Sequence, residues 1–345
     1  MQRYVENVFH KGINELFGKP SIALSGAGLD TLEITSDYDA DSLDFSGING
    51  KSTSDNILRR NTSKHFSSVL MMKLCELKSP NESKYRDTYY CSHNLIVDNQ
   101  AGTCKSKFCK RRWCVVCNRI RTADLVSKYM PTLDTWDEKQ FVTLTIPNPN
   151  KNALPGALSG MYKNFVKMKD NLRKNYSTKL VGVRKLEITY NREMNNYHPH
   201  FHLITDTNQG EKIIDQWLRL NPDAKAIAQD YRPANKDSCF ELFKYFTKLT
   251  SNSSRDKSIT AEAIDWIFQN VDGIRTFQTF GFVPHREMTP VEFAESGVLE
   301  YIANEEFRWQ QSANTWISPE GELLVDYKPT RQTIERTQNI RTWIA

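Results

Sequence analysis

The sequence predicts an α+β protein: an antiparallel ferredoxin-like sheet with helices on one side, plus a small cysteine-rich element. Three observations predict it. The hydrophobic periods between 140 and 249 follow the order β-α-β-β-α-β-α, the split βαβ arrangement. In Tyr197-His198-Pro199-His200-Phe201-His202-Leu203-Ile204, histidines and apolar residues alternate at the two-residue period of a strand. Four of the seven cysteines crowd between 104 and 117.

Each element has a local reason. Residues 140–146 alternate and are rich in β-branched and aromatic side chains, and Pro147-Asn-Pro-Asn stops the strand. Leu158, Met161, Phe165, Met168 and Leu172 mark one face of a helix over 157–175. A strand over 181–190 leads through the turn 191–196 into the histidine strand. A helix over 212–220 ends near Pro222, a strand covers 226–231, and a helix over 239–249 stops at Ser251-Asn-Ser-Ser. Upstream, residues 1–20 read as a short amphipathic helix and 25–56 as an acidic flexible linker. A helical pattern over 57–80 stops before Pro80, and another over 122–133 ends near Pro131. Downstream, Asp272-Gly273 is a turn, 274–282 a strand, and 307–317 with 323–327 a hairpin around Pro319-Glu-Gly321; residues 330–345 form a basic tail. Four segments result: 1–85, helical with the acidic linker; 86–135, cysteine-rich; 136–285, the main sheet; and 286–345, a C-terminal extension.

Hydrophobic residues at 39% and charged residues at 25% fit a soluble globular chain. No run approaches a transmembrane helix, no membrane partner is expected, and the N-terminus lacks the apolar core of a signal peptide. A cytoplasmic location follows as the expectation. A net charge of +5 decides little by itself; its distribution decides more.

In a reducing compartment, clustered cysteines point to metal rather than disulfides. Cys114 and Cys117 form a CxxC knuckle, with Cys109 and Cys104 at five-residue steps before it. Four thiolates close a tetrahedral structural zinc site, and Cys91 and His93 are rival fourth ligands. Lys105, Lys107, Lys110, Arg111, Arg112, Arg119 and Arg121 carry seven positive charges with no acid among them, and Phe108 and Trp113 are interleaved. That is the composition of a surface that tracks phosphates and stacks on bases.

On the histidine strand, His198, His200 and His202 share one face while Phe201 and Leu203 face a core. Antiparallel pairing can set Glu187 of the preceding strand beside His200 and His202. One carboxylate and two imidazoles would hold Mg²⁺ or Mn²⁺ with positions open for a phosphate oxygen. In the helix after residue 238, Glu241, Tyr245 and Lys248 fall at i, i+4 and i+7 on one face. A phenol becomes a usable nucleophile when a metal polarises the electrophile and a cation favours the phenolate.

His200-Phe201-His202 resembles the His-hydrophobic-His motif of the HUH endonucleases. Phe141-Val-Thr-Leu-Thr-Ile-Pro-Asn148 is similar to the first motif of rolling-circle plasmid replication initiators. Glu241 with Lys244-Tyr245-Phe-Thr-Lys248 resembles the catalytic motif of their single-tyrosine branch, and Cys109-Lys-Arg-Arg-Trp-Cys114-Val-Val-Cys117 that branch's upstream cysteine-rich element. The resemblance, spanning roughly Cys91 to Pro284, implies a bacterial, metal-dependent enzyme that nicks and joins single-stranded plasmid origin DNA. Tyr245 would form the 5′-phosphotyrosine and leave a 3′-hydroxyl primer. His200, His202 and Glu187 would hold Mg²⁺ or Mn²⁺, Glu241 would activate water, and Lys248 would steady the phosphate. Zn²⁺ would be structural, and host replication helicase and polymerase are candidate further partners. The rivals are a related HUH transposase or relaxase and a non-catalytic zinc-stabilised nucleic-acid-binding module. The second predicts that Tyr245 is dispensable.

Overall fold

The computed structural model describes residues 53–98, 103–243, 259–282 and 304–326, and beyond them 328, 329, 331, 334, 340 and 341. The expected helix at 1–20 and most of the acidic linker lie outside the described residues; the end of that linker, from Thr53, is already helical.

The first described element is α1 (Thr53–Glu76), followed by α2 (Glu82–Tyr89). Strands β1 (Asn94–Asp98) and β2 (Thr103–Ser106) come next, then α3 (Val115–Asp134). The main sheet follows: β3 (Lys139–Thr145), α4 (Leu154–Tyr176), β4 (Gly182–Asn191), β5 (Asn196–Asp206), α5 (Gly210–Leu220), β6 (Asp230–Pro233) and α6 (Lys236–Phe243). After these come β7 (Ile259–Thr260), α7 (Ala261–Val271), β8 (Phe277–Phe280), β9 (Asn304–Gln310), β10 (Thr315–Ile317) and β11 (Ile340–Arg341).

Between β3 and α6 the order is β-α-β-β-α-β-α, as the periodicity predicts. The strands assemble as β6-β3-β5-β4-β8, each pair antiparallel. A second sheet, ordered β10-β9-β1-β2, joins the hairpin beside the cysteines to C-terminal strands more than 200 residues away. β7 pairs in parallel with β11.

Alternation along the strands divides the main sheet into two faces. Val142, Leu144, Leu186, Phe201 and Leu203 enter a core with Leu158, Met161, Phe165, Met168 and Leu172 of α4 and Trp217 of α5. Phe201 is completely buried; removing such a side chain from water stabilises the fold by roughly 1.5–3 kcal/mol. Leu70, Met71 and Leu74 of α1 and Trp113 belong to the same core.

The expectation of helices on one side only is corrected. Phe141, Val183 and Ile204 make the opposite face apolar at one end, and α3 and α6 cover it with Leu125, Val126, Leu133, Cys239, Leu242 and Phe243. Toward the other end that face is polar and carries the histidines.

Four local expectations also change. The helix expected over 122–133 begins at Val115, because Cys114 caps it, its sulfur accepting from the Cys117 N–H at 3.5 Å. It runs through Pro131, since the burial of Tyr129, Met130 and Leu133 outweighs one lost helical hydrogen bond. The strand expected over 226–231 is a 3₁₀ turn, Ala226–Ala228, followed by β6. The terminal hairpin turns at 311–314, with Asn314 at positive φ, so that 307–317 holds both strands; Leu323 makes only an isolated bridge to Ile317.

Candidate metal centre and nucleic-acid interface

The site begins with register. In the β4–β5 pair, Glu187 stands opposite His200 and Lys185 opposite His202. All four side chains project from the face shared with α6. Glu187 Oε2 lies 3.3 Å from His200 Nε2 and 3.4 Å from His202 Nε2. The three residues can each offer one ligand atom, all within 4.8 Å of one another.

The hydrogen bonds fix how the rings present themselves. His200 Nδ1–H donates to the His198 carbonyl at 3.1 Å, which turns the other ring nitrogen, Nε2, toward the Glu187 carboxylate. His202 Nδ1 bonds Thr143 Oγ1 at 3.1 Å. Such partners behind the rings orient imidazoles that bind metals. Burial pushes the His202 imidazole below its ordinary value, although its bond to Glu187 opposes this. Burial alone would raise the Glu187 carboxyl; the Lys185 charge and the bonds to His200 and His202 hold it well below the usual carboxylate range. The donor set is therefore an anionic carboxylate with a neutral imidazole at His202. It suits a divalent cation with oxygen and nitrogen preferences.

His198 stands apart from the three. Its Nδ1–H donates to Asn148 Oδ1 at 2.7 Å, and burial with the charges of His200 and His202 pushes it down to about 4.

Lys185 shares the Glu187 face in the sequence reading but is given no role there. It is 5% exposed and pairs with Glu187 Oε1. It also donates to the backbone carbonyl of Glu241 in α6 at 3.4 Å. Glu241 is exposed. Tyr245 and Lys248 lie outside the described residues.

The cysteine cluster joins Cys91, Cys109, Cys114 and Cys117, with one sulfur from each within 4.8 Å of the others. Cys91 and Cys117 sulfurs are 3.5 Å apart, and Cys109 and Cys117 sulfurs 3.7 Å. Among the described side chains Cys91, one of the two rivals, is the fourth member; the Cys104 side chain is outside the described ones. The Cys104 backbone lies in β2 opposite Val97. Hydrogen bonds from the neighbouring thiols hold Cys109 far down, while burial pushes Cys114 up. Buried Lys64 of α1 donates to the Cys91 carbonyl at 2.8 Å and to the Tyr89 carbonyl, and burial lowers it to about 8 against the pull of the nearby thiols. Cations beside thiolates favour the charged form that binds metal.

The basic run is less free than its composition suggests. Arg112 donates to the Ile274 carbonyl and Thr276 Oγ1, tying the knuckle to the approach to β8. Arg119 donates to Ser63, Arg121 to Asn118 Oδ1 and the Lys110 carbonyl, and Arg111 lies 3.6 Å from Asp87. Lys107 and Lys110 are exposed, and the Lys105 side chain is outside the described ones. Trp113 is no stacking platform. It is buried, stacked on Phe268 at 5.4 Å and edge-on to Tyr85. Phe108 packs against the cysteine cluster.

A family model described as replication protein matches residues 101–210. A protein rep from Staphylococcus aureus is 33% identical over 168 residues, covering 42% of this chain and 71% of that relative. The chain belongs to this replication protein family. A protein rep from Bacillus amyloliquefaciens is 26% identical over 261 residues, covering 63% of this chain and 76% of the relative. Another from a Bacillus species is 29% identical over 175 residues, covering 44% of this chain and 56% of the relative. No solved structure matches the chain. The family-matched stretch of this replication protein contains Cys109, Cys114, Cys117, Glu187, His200 and His202; Cys91 and Glu241 lie outside it. Membership supports the role of plasmid replication initiator. No described helix is long and apolar enough to cross a membrane.

Proposed function

We propose that this chain initiates plasmid rolling-circle replication as an HUH-type, single-tyrosine enzyme that nicks and joins origin DNA. The observation that carries the reading is the Glu187 carboxylate oxygen within 3.4 Å of the Nε2 atoms of both His200 and His202, beside the helix that bears Glu241. Mg²⁺ or Mn²⁺ held by these three residues would supply Lewis-acid chemistry, drawing charge from a non-bridging oxygen of the scissile phosphate.

The chain's own residues do the rest. Tyr245, four residues beyond Glu241 in the sequence, loses its proton to solvent and attacks phosphorus in line with the 3′-oxygen. The bond from phosphorus to that oxygen breaks, and the oxygen takes a proton to become the primer hydroxyl. The 5′-phosphate stays on the tyrosine. Lys248 favours the phenolate and steadies the phosphate. For the closing cut Glu241 takes a proton from water, giving a hydrolytic exit with one tyrosine. Cys91, Cys109, Cys114 and Cys117 fit structural Zn²⁺, and the exposed lysines of the basic run meet origin phosphates.

The test is an end-labelled, single-stranded origin oligonucleotide incubated with Mn²⁺, comparing the native chain with Tyr245→Phe on a denaturing gel. Label retained on the native protein and lost in the variant supports the reading. Cleavage surviving in Tyr245→Phe moves the nucleophile elsewhere. Tight, salt-sensitive binding without cleavage favours a nucleic-acid-binding module instead.

A further inference from the structure

Lys185 is not accounted for by the mechanism above. It is buried on a sheet face, yet its ammonium pairs with one oxygen of a carboxylate whose other oxygen faces two imidazoles. A divalent ion at the same carboxylate would be repelled by it. At the separations of one carboxylate, that repulsion is substantial even in a well-screened interior.

We propose that Lys185 makes loading of the divalent ion depend on the phosphate of the bound strand. The charge count gives the reason. The Glu187 carboxylate and the Lys185 ammonium are paired, and their charges cancel. An arriving divalent ion adds two positive charges to a centre with no net negative charge left to answer them. A phosphodiester supplies the missing negative charge, so ion and DNA bind better together than either does alone. Lys185 also keeps Glu187 in a one-oxygen pose, Oε1 on the ammonium and Oε2 toward the histidines. Its bond to the Glu241 carbonyl ties that pose to α6. A bare centre would thus be poorly loaded with metal, and hydrolysis of the wrong phosphate, or of none, is held back until a strand is seated. This inference rests on reading Glu187, His200 and His202 as the ion's ligands.

The experiment measures Mn²⁺ affinity by electron paramagnetic resonance on the full chain, without DNA and with a saturating oligothymidylate. The native chain is compared with Lys185→Met, Lys185→Arg and His202→Ala. The proposal expects native affinity for Mn²⁺ to rise about tenfold or more when the oligonucleotide is added. It expects Lys185→Met to bind Mn²⁺ about tenfold more tightly without DNA and to lose most of that rise. Lys185→Arg, which keeps the charge, should behave as the native chain. The native measurement alone tests the coupling should Lys185→Met not fold. Equal native affinity with and without oligonucleotide, or unchanged affinity in Lys185→Met, overturns the proposal while leaving the ligand assignment standing. Native and His202→Ala chains binding Mn²⁺ alike would overturn the ligand assignment and the proposal with it.

Discussion

Glu187 faces His200 across the β4–β5 pair, and its Oε2 lies 3.3 Å from His200 Nε2. With His202 they can each offer one ligand atom, all within 4.8 Å of one another. Glu187→Gln keeps the shape and removes the charge. Its Mn²⁺ affinity, read by isothermal titration, should fall by more than the ~10–100-fold that loss of an outer partner costs. Binding of duplex DNA should be unchanged.

The cysteine cluster gives a discriminating pair. Under the proposed zinc reading, Cys91→Ser should purify without zinc and with a lowered melting temperature, while Cys104→Ser should carry zinc at full stoichiometry. Zinc content of the purified proteins by atomic absorption checks both. Zinc lost from Cys104→Ser and kept in Cys91→Ser would reinstate Cys104.

Trp113 and Phe268 stack at 5.4 Å inside the core. Trp113→Ala should destabilise the fold by about 3–5 kcal/mol in urea denaturation. A loss of DNA affinity without a loss of stability would mean that Trp113 acts at the surface after all.

Lys107 and Arg112 lie five residues apart in one basic run, but one is exposed and the other bonds the Ile274 carbonyl. Lys107→Ala should weaken origin binding and reduce the salt slope by about one. Arg112→Ala should lower stability and leave the slope alone. Fluorescence anisotropy across a salt series separates them.

His198 is pushed down to about 4, burial leading, whereas an unfolded imidazole protonates near its model value of 6.5. Between those values the unfolded chain binds more protons, so stability falls as pH falls. The His198 contribution is complete above pH 6.5 and is lost toward pH 4. His198→Gln should flatten that part of the urea-midpoint profile. An unchanged profile would assign the acid sensitivity to other groups.

The main sheet was legible because its periods are strong. The alternation around Phe201 and the helical spacing of Leu158 to Leu172 are local patterns, and their order leaves few topologies. Elsewhere local signals were present but unread: Thr260 caps α7, its hydroxyl accepting from Ala263, and Ile264, Ile267, Phe268 and Val271 follow at helical spacing. Pro131 misled, since its effect on one hydrogen bond is smaller than the burial of its neighbours.

By itself the sequence determined the strand and helix order of the main sheet, a hairpin whose pairing can set Glu187 beside His200, and the knuckle of Cys114 and Cys117. Those follow from periodicity, hairpin register and short spacing, all of them local. Only the tertiary structure decided that Cys91 joins the knuckle across 26 residues, that Trp113 lies in the core, and that α3 and α6 roof the histidine face. It alone set Lys185 between Glu187 and the Glu241 carbonyl. Each of these depends on surfaces from distant segments competing to be buried, and that competition is settled by packing rather than by any stretch of chain.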